Sequence, residues 1–240
     1  MKKTKHQFGR LYKEDPRDSK YPLRSILPLK SELTERYWHC NEILDQNGYP
    51  ACVGYGWASW VDDPPVEHDL PIDPMWIYSE AQKIDGVLLP HEGSTVRAGA
   101  KVLQQRKLIS NYYWASSIDD VVLAVLEKGP VTVGTNWYSG MSNPDGDGLM
   151  KFSGAFEGGH CYLINGVDIK TGLFRIKNSW GSTWAQQGLA FISISDMDRL
   201  FREQGEVCLA TEVPGNLPPA PVAMNLWDRF IMWLHTWLDF

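Results

Sequence analysis

Along this chain, helical periodicity comes first and strand-like runs come later. Val53, Trp57, Trp60 and Val61 follow i, i+4, i+7, i+8, one face of a helix that begins after the polar, turn-rich stretch Asp45 to Ala51. Pro64-Pro65 forbids its continuation. Gly54 and Gly56 lie inside it, each costing about 1 kcal/mol relative to alanine. Such a helix must therefore be held by burial of its tryptophan face. A second helix is predicted near Met75 to Lys83, and Glu92 to Arg97 leads into a third that runs to about Arg106. Ser117, with Asp120 three positions on, resembles a capping box. It precedes an apolar face of Val121, Val122, Val125 and Leu126 that Gly129-Pro130 ends. The run Val131 to Asn136 then reads as a strand, as do His160–Val167, Leu173–Lys177 and Leu189–Ile194.

The flanks have a different pattern. Residues Met1 to Cys40 are proline-punctuated and read as an extended arm laid across the domain, with a free tail expected only for about the first ten residues. Val213 to Val222 holds four prolines in ten residues, a semi-rigid spacer. Beyond it Trp227, Phe230, Ile231, Leu234, Trp237 and Leu238 form one apolar helical stripe. The polar side of that stripe has one Arg against two Asp and the terminal carboxylate, which disfavours an anionic bilayer. Two occupants are open for Trp227–Leu238: its own domain, or a protein partner or second copy, toward which the proline spacer tips the reading.

Composition narrows the function classes. Of 240 residues, 43% are hydrophobic and 22% charged, ordinary for a globular protein. The net charge of −6 argues against nucleic acid as the main partner. No CxxC occurs among the four cysteines, so a zinc site has little support, and no cofactor is expected. Asn143 to Gly148 imitates the start of a calcium loop, but Lys151 and Gly154 stand at its ninth and twelfth positions, so an exposed turn is the better account. No apolar run follows the basic N-terminus and none reaches the length of a membrane span, so a cytosolic or virion-enclosed protein is expected.

Cys52 falls at the first turn of the tryptophan helix, where unpaired N–H groups and the helix dipole favour a thiolate. Far downstream, Gly158-Gly159-His160 opens a strand, and Asn178-Ser179-Trp180-Gly181 precedes Trp184 and Gly188. Gln46 stands six residues before Cys52, and Asn178 eighteen after His160. With these three motifs in this order, the chain from roughly Asp15 to Thr211 resembles the papain-like cysteine peptidases. The resemblance implies an α+β, two-lobed fold: a helical lobe carrying Cys52 facing a β-barrel lobe carrying His160 and Asn178. The direct passage from the Ser117 helix to the Val131 strand matches the crossing between those lobes.

The resemblance also implies roles. Cys52 would be the nucleophile, His160 its base, Asn178 the group that orients His160, and Gln46 an oxyanion donor beside the Cys52 N–H. Trp180 would shield the His160–Asn178 bond. Gly93 and Ser94 would pair with the substrate backbone, with Gly159 and Trp180 also lining the groove; a plain N-cap by Ser94 or Thr95 explains that stretch equally well. Strand alternation turns Cys161 away from His160 and makes it a buried, inert thiol. The chain departs from the family at Val53, Pro50, Ala51, Tyr49 and Ala185, which suggests a bacterial or phage-type branch. Only 51 residues precede Cys52, too few for a family-type pro-region, so control by zymogen cleavage is not expected. The domain division is 1–212 catalytic, with an arm over 1–40, then a linker over 213–222 and a helix over 223–240. The expected activity is peptide hydrolysis through a thioester. A transpeptidase or isopeptidase with the same residues, and a silent binding protein of the same fold, are the alternatives.

Overall fold

The computed structural model describes residues 7–65, 72–87 and 92–212, so the proline spacer and the Trp227–Leu238 helix lie outside the described residues. Three helices pack on one side: α1 (Cys52–Asp62), α2 (Pro74–Asp85) and α3 (Val96–Gln105). Three glycines bring them together. A Cβ on Gly54 would lie 2.3 Å from the Pro74 carbonyl oxygen, one on Gly56 2.9 Å from Cys161 Sγ, and one on Gly99 2.1 Å from the Trp57 ring. The helix propensity lost at Gly54 and Gly56 is thus exchanged for close approach. The tryptophans of α1 are buried with their N–H groups satisfied: Trp57 donates to the Val96 carbonyl at 2.9 Å and Trp60 to the Pro130 carbonyl at 3.1 Å.

The other side is a seven-stranded sheet. Its strands are β2 (Glu35–Tyr37), β4 (Ile109–Trp114), β5 (Val131–Tyr138), β6 (Phe156–Asp168), β7 (Leu173–Lys177), β8 (Leu189–Ser193) and β9 (Glu206–Glu212). The order is β4-β9-β5-β6-β7-β8, with β2 beside the outer end of β6 and every pairing antiparallel. A short parallel pair, β1 (Arg10–Leu11) with β3 (Ser94–Thr95), lies apart from it. Helices α4 (Ile118–Glu127) and α5 (Ile194–Arg202) are the remaining α-helices among the described residues. Ser117 Oγ caps α4 by accepting from Asp120 N at 3.2 Å. Among the described residues no helix is long and apolar enough to cross a membrane.

Strand β6 organises the sheet. Its residues from His160 to Asp168 are all buried, so both faces of the strand are covered and no inside–outside alternation remains. Tyr162 and Ile164 join the core shared with α4 and α5, whereas Cys161 and Leu163 face the cluster that contains α1, α2 and α3. The strand is the wall between the two cores.

Several elements differ from expectation. The N-terminal arm is not simply extended. It forms two 3-10 turns (Pro16–Lys20 and Leu23–Ile26), buries Leu23 completely and supplies β2. Gln7 to Arg10 are not a free tail, and Arg10 is 5% exposed. Ile194 starts α5 instead of extending β8, because Ser193 caps the helix by accepting from Asp196 N. Asp145 closes the 143–148 turn by accepting from the N–H groups of Asp147 and Leu149.

Candidate active site

Cys52 is the first residue of α1, fully buried. Ala51 precedes it and offers no side-chain cap, so the helix's leading N–H groups are not claimed by a capping side chain. Burial pushes the Cys52 thiol up to about 11, while hydrogen bonds from the Gly9, Cys161 and Val53 backbone pull it the other way. In this closed arrangement desolvation works against the thiolate that the helix terminus favours.

His160 points from β6 into an aromatic box. Its ring lies 4.9 Å from Trp137 and 4.9 Å from Trp180, with Tyr162 and Phe8 at 6.0 and 5.8 Å. His160 Nε2 meets Asn178 Oδ1 at 2.8 Å, and the same Oδ1 accepts from the Ser179 N–H at 2.8 Å. Asn178 directly follows β7, and Trp180 is 4% exposed over this pair.

Gln46 is held from both sides. Its Oε1 accepts from Ser179 Oγ at 2.8 Å, and its backbone N–H donates to the Ser179 carbonyl. Its Nε2 donates to the Tyr49 carbonyl at 2.6 Å and to the Gln7 carbonyl at 3.0 Å. Ser179, absent from the sequence-based set, therefore ties the Gln46 turn to the Asn178 segment. The Asn-Ser-Trp run was its available signal.

Gly93 and Ser94 meet the chain's own arm. Ser94 N donates to the Gly9 carbonyl at 2.8 Å, and a Cβ on Gly93, whose φ is +78°, would lie 2.1 Å from that oxygen. Thr95, not Ser94, caps α3, accepting from Ala98 N at 3.1 Å. A Cβ on Gly159 would stand 2.2 Å from the Arg10 carbonyl oxygen. Residues Gln7 to Leu11 thus run through the cleft between Cys52, His160 and the Gly93 segment. Cys161 is buried and raised well above the ordinary thiol value by desolvation.

No protein-family model matches the chain. Gamete and mating-type specific protein A of Dictyostelium discoideum is 34% identical over 94 residues, which cover 36% of this chain and 19% of that protein. The chain thus spans about a fifth of that relative. Among solved structures, xylellain, a cysteine protease from Xylella fastidiosa, aligns with a TM-score of 0.68 at 17% identity, over 89% of this chain and 99% of that one. Procathepsin L 3 of Tenebrio molitor larval midgut gives 0.61 at 13% identity, over 87% and 76%. Bromelain from Ananas comosus, solved with the E64 inhibitor, gives 0.58 at 13% identity, over 75% and 100%. The fold is papain-like. The source organisms are too varied to select a branch.

Proposed function

We propose that the chain is a cysteine peptidase that hydrolyses peptide bonds through a thioester on Cys52. The observation that carries this reading is the Gln46 side chain donating to a peptide carbonyl, that of Gln7, in a segment that also hydrogen-bonds Cys52. An oxyanion donor must reach a peptide oxygen, and the bond from Gln46 Nε2 to the Gln7 carbonyl supports that role. Asn178 on Nε2 fixes the His160 ring and leaves Nδ1 to exchange a proton with Cys52. His160 takes the thiol proton as sulfur attacks the carbonyl carbon. The C–N bond then breaks as the imidazolium gives that proton to the leaving amine, and water hydrolyses the thioester.

Gln46→Ala tests the assignment, with kcat expected to fall about 10²- to 10³-fold and KM to change little. The substitution also removes the bond to Ser179, so the folded state is checked by thermal melting. An unchanged kcat in a folded variant would remove Gln46 from the mechanism.

A further inference from the structure

The side chain of Arg10 enters the protein beside the cleft and is 1% exposed. Its Nε lies 3.1 Å from Glu206 Oε1, and its Nη2 donates to the Gln204 carbonyl at 2.5 Å. Glu206, at the start of β9, is 11% exposed in its side chain. Arg10 is its ion-pair partner among the described residues. A buried guanidinium is costly unless it is paired and hydrogen-bonded, so the arm puts its most expensive side chain into a place built to receive it.

Gly134 shows that the place is built. It sits inside β5, where glycine weakens a strand, and a Cβ there would be 2.8 Å from Arg10 Nε, 2.7 Å from Val96 Cγ2 and 3.1 Å from Glu206 Oε1. Any side chain at 134 would fill the space that the guanidinium occupies. The backbone on either side follows the same logic: Gly9 pairs with Ser94, and Gly159 leaves room for the Arg10 carbonyl. Farther along, Arg97 fastens the arm through Asp18 and the Lys13 carbonyl. Residues 7–11 thus fill the cleft as an extended peptide would, with one basic side chain buried.

We propose that the pocket formed by Glu206, Gly134, Val96 and the Gln204 carbonyl is a subsite for an arginine or lysine side chain of a peptide, and that Gln7–Leu11 is its internal occupant, which an external peptide displaces. The subsite rests on reading the cleft as the peptide-binding groove. Once the arm leaves, Glu206 loses its hydrogen-bonded cation and keeps only the longer-range attraction of Arg97. A basic side chain restores the pair and a neutral one does not, so discrimination comes from the lost ion pair as much as from the contact.

The test uses the full chain and a position-scanning library of fluorogenic peptides. It reads the ratio of Arg to Leu at each position within each variant, so that a general loss of activity cancels. The parent and Arg10→Ala are expected to prefer Arg or Lys at one position by about tenfold or more, with Glu206→Gln bringing that ratio close to one. In parallel, Arg10→Ala is expected to raise the rate of Cys52 alkylation by iodoacetamide about tenfold over the parent, because the arm loses its anchor. No basic preference at any position, or one that survives Glu206→Gln, would overturn the subsite. An unchanged alkylation rate would overturn the arm's role. If no peptide is cleaved, the peptidase reading fails, and the subsite is decided by protection of Cys52 from iodoacetamide in Arg10→Ala. An Arg-containing peptide protecting better than its Leu counterpart sustains it; equal protection refutes it.

Discussion

Cys52→Ala is expected to abolish peptide hydrolysis while leaving the fold and its melting temperature nearly unchanged. Loss of a nucleophile in a triad costs about 10⁶ in kcat, far more than loss of an oxyanion donor. Cys52 is fully buried, so replacing Sγ by hydrogen leaves a small void, but the residue is the first of α1 and its loss breaks no side-chain cap. Turnover of the variant and parent on the same peptides, beside their thermal melts, makes the comparison. Retained hydrolysis would mean that another group does the chemistry. Cys161 and Cys208 are poor substitutes, because burial holds both thiols well above their ordinary value.

The largest expected loss of stability is at Lys177. Its ammonium lies 2.8 Å from Asp63 Oδ1, with both side chains wholly buried. Asp63 also accepts from Asn41 N at 2.8 Å. Burial pushes the Asp63 carboxyl up, and Lys177 pulls it back toward the ionised form. The pair joins two ends that matter: Asp63 follows the helix that starts at Cys52, and Lys177 precedes Asn178. Lys177→Ala strands a buried carboxylate and is expected to cost about 3–5 kcal/mol. For a chain of this size the melting temperature should then fall by about 2–4 °C per kcal/mol. The double variant Lys177→Met, Asp63→Leu should recover part of that, since an apolar pair of similar volume avoids the desolvation cost but leaves the Asn41 N–H without its acceptor. A single variant that melts with the parent would show that the pair contributes little.

Much of the frame was readable from pattern. The Cys52 helix, the Ser117 cap and the strands after Gly129-Pro130 follow from local rules that tertiary packing did not override. What escaped was set by distant partners. The Glu206–Glu212 strand lies between β4 and β5, and nothing near it in sequence announces that pairing. Ile194 follows a strand-like run, so its helix was hidden although Ser193 and Asp196 repeat the pattern seen at Ser117 and Asp120. Arg10 looked like part of a polar tail because only the folded cleft gives it a counter-ion. One sign was available: Gly134 interrupts Val131-Thr-Val with no turn to make, which implies a close approach. The raised Cys52 thiol was not legible at all, since helix position favours the thiolate and only the folded surroundings supply the desolvation that opposes it.

The most direct measurement of the account is the alkylation rate of each cysteine, mapped by mass spectrometry, in Arg10→Ala and in Arg10→Ala with His160→Ala. With the arm unanchored, Cys52 should label about tenfold faster or more than Cys161 and Cys208 near neutral pH, and loss of His160 should remove that advantage. Labelling of Cys52 no faster than Cys161 or Cys208 would contradict an activated nucleophile at this site.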